Sequence, residues 1–129
     1  MTVESTTRVV EAYLGGHDPS AVSDDAVYTV MDSGYQVHGR EAIGQFLNSF
    51  YTEVFAASFE QQNLVVSDGH AVLEGFVVGT HNGDFAGIPA SGKPVRVPLC
   101  VSYDVPKDKI VGARIYLATD ALRRQVSEQ

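Results

Sequence analysis

Few side chains in this sequence are both reactive in type and spaced for joint chemistry. Four histidines, His17, His38, His70 and His81, show no paired spacing of the kind that holds a metal, so no metal is expected. Cys100 is the single cysteine, which excludes an intrachain disulfide and a thiolate cluster. It stands in an apolar run with no histidine at motif spacing, and reads as a small hydrophobe. Two carboxylates are candidates for proton transfer. Asp32 precedes Ser33-Gly34, where it either fixes a turn through its side chain or acts as a base. Asp120 precedes Ala121-Leu122-Arg123-Arg124, where it either caps a helix or faces a ligand beside Tyr116. Glu74 interrupts an apolar run, and a buried carboxylate is costly unless paired. Arg96 or Arg114 across the sheet is its expected partner, although Arg114 is also suited to an acidic or carbonyl ligand. His81 and Asn82 open a long loop from which either could reach a ligand.

These residues need elements to hold them. Val9, Val10, Tyr13 and Leu14 mark one face of a first helix, which Gly15-Gly16 should end. Asp18-Pro19 reads as a cap and first turn of a very short second helix. Residues 27–32 suit a strand, followed by a turn at Ser33-Gly34. Between Gly39 and Phe55, the positions Ile43, Phe46, Leu47, Phe50 and Val54 recur at three- and four-residue steps, the stripe of an amphipathic helix. The period then changes. Residues 57–67 and 71–81 read as strands joined through Asp68-Gly69, and 95–105 and 109–118 as a second pair turning at Pro106-Lys107-Asp108. A last helix is expected from Thr119 or Asp120 to about Val126. The order implies a single α+β domain with a mostly antiparallel sheet.

Composition narrows the partners. A net charge of −7, from 16 acidic and 9 basic residues, disfavours nucleic acid and anionic membranes. No apolar run approaches the roughly 20 residues of a membrane span. The amino terminus, Met1-Thr2-Val3-Glu4-Ser5, lacks the basic and apolar regions of a signal peptide, so a cytoplasmic location is expected. No cofactor is expected either, because the glycines of the long loop do not follow a strand and open a helix as a phosphate cradle does.

The loop itself, "GTHNGDFAGIPASGKPVRVP", resembles the middle of SnoaL-like proteins, the polyketide cyclase branch of the nuclear transport factor 2-like superfamily. "DDAVYTV" with "VHGREAIGQFL", "DGHAVLEGFVVGTH" and "KIVGARIYLATDALRRQ" extend the resemblance from about Thr6 to Gln125. It implies a cone, a curved sheet wrapped around N-terminal helices, in place of the several folds the element order allows. It implies catalysis by a base in an apolar pocket and a donor for an enolate oxygen. Cyclases of this family carry their acid two residues after an aromatic; here the positions are Tyr116, Leu117 and Ala118, and the acid is absent. Ketosteroid isomerase, a more distant relative, implies Asp32 as base and Tyr13 as oxyanion donor, and matches its second donor to Cys100.

One pocket lined by Tyr13, Asp32, Phe46, Phe50, Phe76, Cys100 and Tyr116 is therefore expected, with His81 and Arg114 as further ligand contacts and Asp120 as alternative acid. The resemblance also implies a homodimer through outer sheet faces, for which Val97, Leu99, Val101, Tyr103, Ile115 and Leu117 alternate suitably. Three functions follow: a cyclase or isomerase acting on a polyketide-like or other cyclic carbonyl, a non-catalytic binder of a small apolar ligand, and a dimeric interaction module. Ala118 and Cys100 weigh against the first.

Overall fold

A computed structural model describes residues 2–16, 19–85 and 87–127. Helix α1 (Val3–Gly16) is followed by a short 3-10 turn (Pro19–Ala21), strands β1 (Val22–Val30) and β2 (Tyr35–His38), and helix α2 (Arg40–Ser49). A π-helical turn (Phe50–Val54) leads into β3 (Phe55–Ser67), β4 (His70–His81), β5 (Pro94–Asp104), β6 (Ile110–Leu117) and α3 (Thr119–Ser127). The six strands form one sheet in the order β2-β1-β6-β5-β4-β3. Only β1 and β6 run parallel; every other neighbouring pair is antiparallel. The expected α+β architecture is present. His17 and Asp18, the latter read as a cap, lie outside the described residues. Strand β2 lies in a segment for which the sequence pattern suggested no element. Among the described residues, no helix is long and apolar enough to cross a membrane.

Each helix is tied to the sheet by particular bonds. Thr2 and Ser5 cap α1 reciprocally: the Ser5 N–H donates to Thr2 Oγ1 at 3.1 Å, and the Thr2 N–H to Ser5 Oγ at 2.9 Å. One turn on, the buried Thr6 accepts the Gly69 N–H at 3.1 Å, fastening α1 to the β3–β4 turn. Gly39, at φ 93°, donates to the Ala26 carbonyl and turns the chain into α2. Arg40 then holds α2 against β1 by donating to the Val22 carbonyl at 2.8 Å and pairing with Asp24 at 2.9 Å. At α3, Gln125 accepts the Arg96 N–H and donates to the Arg96 carbonyl, both at 2.8 Å, so its amide prolongs pairing of β5 past the end of β6.

The alternation along the strands decides which face meets the helices. Val95, Val97, Leu99, Val101 and Tyr103 are buried, with Ala113 and Leu117 beside them on β6. The residues expected to form an outer dimer face are therefore the inner core. The outer face of β5 carries Arg96, Pro98, Cys100, Ser102 and Asp104 instead. Two glycines of β4 allow β3 to approach closely. A Cβ at Gly75 would stand 2.1 Å from the Glu60 carbonyl oxygen, and one at Gly79 would stand 2.3 Å from that of Ala56. A register shift between Gln61 and Asn63 in β3 lies in the same strand pair.

Candidate functional site

Aromatic side chains line the inner face in two groups. The ring of Tyr103 meets Tyr13 at 6.0 Å and Tyr28 at 6.5 Å, both near edge-on. The π-helical turn contributes Phe50 and Tyr51, whose rings are 5.1 Å apart. Phe50 also meets Phe46, Phe55 and Phe85 at 6.4, 5.0 and 5.6 Å. Phe85 comes from the long loop, whose described residues bond to one another and to the π-helical turn. Asn82 and Gly83 donate to the Val54 carbonyl, Phe85 and Ile88 bond each other's backbones, and the Ala90 N–H reaches Asp84 Oδ1 at 2.9 Å. The loop thereby lays Phe85 on Phe50 and Phe55.

Four phenols in this interior are held in their protonated form. Burial raises Tyr13 and Tyr103, and pushes Tyr51 up to about 12, with the neighbouring Tyr13 adding to the effect on Tyr51. Tyr28 is raised as well, by burial first and then by the proximity of Tyr13 and Tyr103. The Tyr28 hydroxyl approaches that of Tyr13 closely enough to affect the ionisation of both. No partner meets strict hydrogen-bond geometry at the buried Tyr28 Oη. In the group built around Phe50, His81 is wholly buried, stacks on Phe55 at 5.4 Å and shares a 3.1 Å hydrogen bond with Ser91 through Nδ1. Its Nε2 is the second buried atom without a partner.

The expected single pocket divides into separate places. Tyr13, Phe50 and His81 are interior, and Phe46 is half-buried beside Phe50. Phe76, Cys100 and Tyr116 lie on the opposite face of the sheet, because their strand positions have the other parity. There they line an open groove of about 480 Å³ with Glu74, Pro98 and Ala118. Tyr116 is 47 % exposed, and the Cys100 thiol is half-buried, raised by partial burial and by Glu74. Asp32 stands exposed in the β1–β2 turn. Asp120 is exposed in the first turn of α3 and pairs with Arg123 at 3.3 Å.

The arginines are also placed differently. Arg96 pairs with Glu60 at 2.6 Å and stacks over Phe76 at 3.6 Å, and Arg114 pairs with Asp104 at 2.7 Å, so neither meets Glu74. Glu74 instead accepts a hydrogen bond from Asn63 at 3.3 Å. Arg114 donates a second bond to Ser102 at 2.9 Å and belongs to the outer face, away from any interior carbonyl. Tyr28 and Tyr51 are interior polar residues that sequence reasoning passed over, and Tyr103 was read as part of an outer dimer face. The alternation of Tyr28 with Ala26 and Val30 on one strand face was the available signal.

The family model for SnoaL-like polyketide cyclases matches residues 17–126. The chain belongs to that family. Among solved structures, a protein assigned as a SnoaL-like polyketide cyclase from Jannaschia sp. CCS1 has a TM-score of 0.84 at 17% identity, with 99% of this chain and 95% of that one covered. A protein assigned as a polyketide cyclase from Xanthomonas campestris gives 0.77 at 20% identity, covering 97% and 98%. A protein of ketosteroid isomerase-like fold from Catenulispora acidiphila, in complex with trimethylamine, gives 0.73 at 17% identity, covering 100% and 96%. At these identities the likeness is one of fold. No curated protein matches the chain.

Proposed function

We propose that this SnoaL-like protein binds a small cyclic carbonyl or enol inside the cone and holds its oxygen with the phenols of Tyr28 and Tyr13. The observation that carries the reading is the Tyr28 hydroxyl, buried and without a hydrogen-bond partner. A buried donor left unmade costs about 1–3 kcal/mol, so a ligand oxygen placed there recovers stabilisation that the free protein lacks. Burial keeps the phenols protonated, which makes them donors to an oxygen that is gaining negative charge. The apolar rings around them supply most of the affinity.

The geometry favours binding over proton abstraction. Among the described residues the buried polar or charged side chains, apart from the tyrosines, are Thr6, His81 and Thr119, with no carboxylate. Asp32 and Asp120 are both open to solvent, and Ala118 offers no acid. Acid–base catalysis of the cyclase or isomerase type is the second reading, favoured by the family match. Pairing of two copies through the outer sheet face, and action in the cytoplasm, belong to the same proposal.

The test is the affinity of 2-naphthol, a ring-bearing enol, measured by calorimetry on the full chain. Tyr28→Phe should weaken binding by roughly 10-fold or more, the loss of one hydrogen bond to a partly charged oxygen. Equal affinity in wild type and variant would remove Tyr28 from the site. Deuterium incorporation into 2-tetralone separates the two readings: binding without exchange above the buffer rate marks a binder, and accelerated exchange marks an enzyme.

A further inference from the structure

The β1–β2 hairpin places a second tyrosine above the first. Tyr28 pairs with Val37 and Val30 with Tyr35, so Tyr35 shares the face of Tyr28 one pairing step nearer the turn. Two residues along a strand amount to about 7 Å. Tyr28 is 2 % exposed and Tyr35 is 59 % exposed. Tyr35 does not stand alone. Its ring meets the half-buried Phe46 at 6.2 Å, and Phe46 in turn meets the buried Phe50 at 6.4 Å. Val30 pairs with Ile115 across the parallel junction on the same face, and both are half-buried. The rings thus grade in exposure from Tyr35 through Phe46 to Phe50, on the face of the hairpin that also carries Tyr28.

We infer that Tyr35 and Phe46 form a rim subsite that receives the outer ring of a fused bicyclic ligand, and so set its size. The inference rests on the proposed role of Tyr28 as the oxygen anchor. An oxygen bonded to Tyr28 puts the first ring of the ligand beyond Tyr28 and the second roughly 7 Å away, level with Tyr35. A single ring falls short of that distance. Tyr35 is then a specificity-determining residue, and its ring stacks or meets the outer ring of the ligand edge-on. No charged group is needed at this position; Asp32, in the adjoining turn, is exposed.

Phenol and 2-naphthol, titrated separately into the full chain, test the inference. The unmodified protein should prefer 2-naphthol. Tyr35→Ala should lower 2-naphthol affinity about two- to tenfold and leave phenol unchanged, since an aromatic pair contributes on that scale beyond area burial. Tyr35→Phe should keep the wild-type preference. Tyr28→Phe, by contrast, should weaken both probes together. An unaltered preference for 2-naphthol in Tyr35→Ala, with Tyr28→Phe still weakening both, overturns the rim subsite alone. Failure of the unmodified protein to bind either probe overturns the oxygen anchor and the rim with it.

Discussion

Tyr28 and Tyr35 occupy one face of one hairpin, opposite Val37 and Val30 respectively, yet the first is buried and the second is open to solvent. The contrast defines a direction. The interior end of the hairpin carries a hydroxyl without a partner, and the outer end carries a ring without a lid. Such a gradient suits a ligand that enters ring-last and oxygen-first.

The same hydroxyl implies a trade between stability and binding. Tyr28→Phe deletes a buried polar atom that makes no hydrogen bond, so the free protein should be unchanged or stabilised by up to about 2 kcal/mol. In thermal unfolding this reads as no shift or an increase of several degrees. A clear decrease would mean that Tyr28 Oη is bonded in the free protein.

The close approach of β3 to β4 depends on two glycines in β4. Gly75→Ala would drive a Cβ into the Glu60 carbonyl and to 2.6 Å from the Phe59 ring, and Gly79→Ala would meet Ala57 at 2.6 Å. Each should destabilise by about 1–3 kcal/mol or more, because backbone atoms must move. Gly44→Ala, on α2 with no atom within 4 Å of the new Cβ, should instead stabilise by about 0.5–1 kcal/mol. Denaturant titration of the three variants would separate steric need from accident, and equal effects would contradict it.

Acid should weaken one defined outer-face network. The Arg114 hydrogen bonds hold the Asp104 carboxyl below its ordinary value, against partial burial, with His70 assisting from 3.1 Å. A lowered folded pKa contributes stability that is fully present above the ordinary carboxylate value and is lost as pH falls through the folded value. The pair is partly exposed, so the contribution is below about 1 kcal/mol. Asp104→Asn should therefore flatten the stability profile below about pH 4. An unchanged acid limb in the variant would assign the effect to other carboxylates.

The proposed dimer also has a direct readout. Tyr116, 47 % exposed on the outer face beside Phe76 and Cys100, would be covered by a second copy. Sedimentation at micromolar concentration should show a dimer, and Tyr116→Glu should shift it towards monomer. A monomeric wild type would contradict the proposal.

Much of the fold was legible because periodicity reports burial. The stripe Ile43, Phe46, Leu47 and Phe50 became the inner face of α2 and the π-helical turn, and Asp68-Gly69 became the β3–β4 turn. Strand β2 escaped, since four residues with one buried position carry little pattern. The site was less legible because alternation alone does not say which parity faces the helices. Phe76, Cys100 and Tyr116 form a plausible apolar set in sequence, yet they share the outer face. Glu74 was assigned an arginine by charge alone, whereas register brought Arg96 to Glu60 and Arg114 to Asp104. Tyr13 was found through resemblance, and its companions Tyr28, Tyr51 and Tyr103 emerge only when four elements are brought together.

A crystal structure with 2-naphthol bound tests the central claim most directly. The account predicts the probe inside the cone, its oxygen 2.5–3.0 Å from Tyr28 Oη, the usual range for such a bond, and its outer ring against Tyr35 and Phe46. A probe seated instead in the outer groove against Phe76, Cys100 and Tyr116, with the interior unchanged, would contradict it.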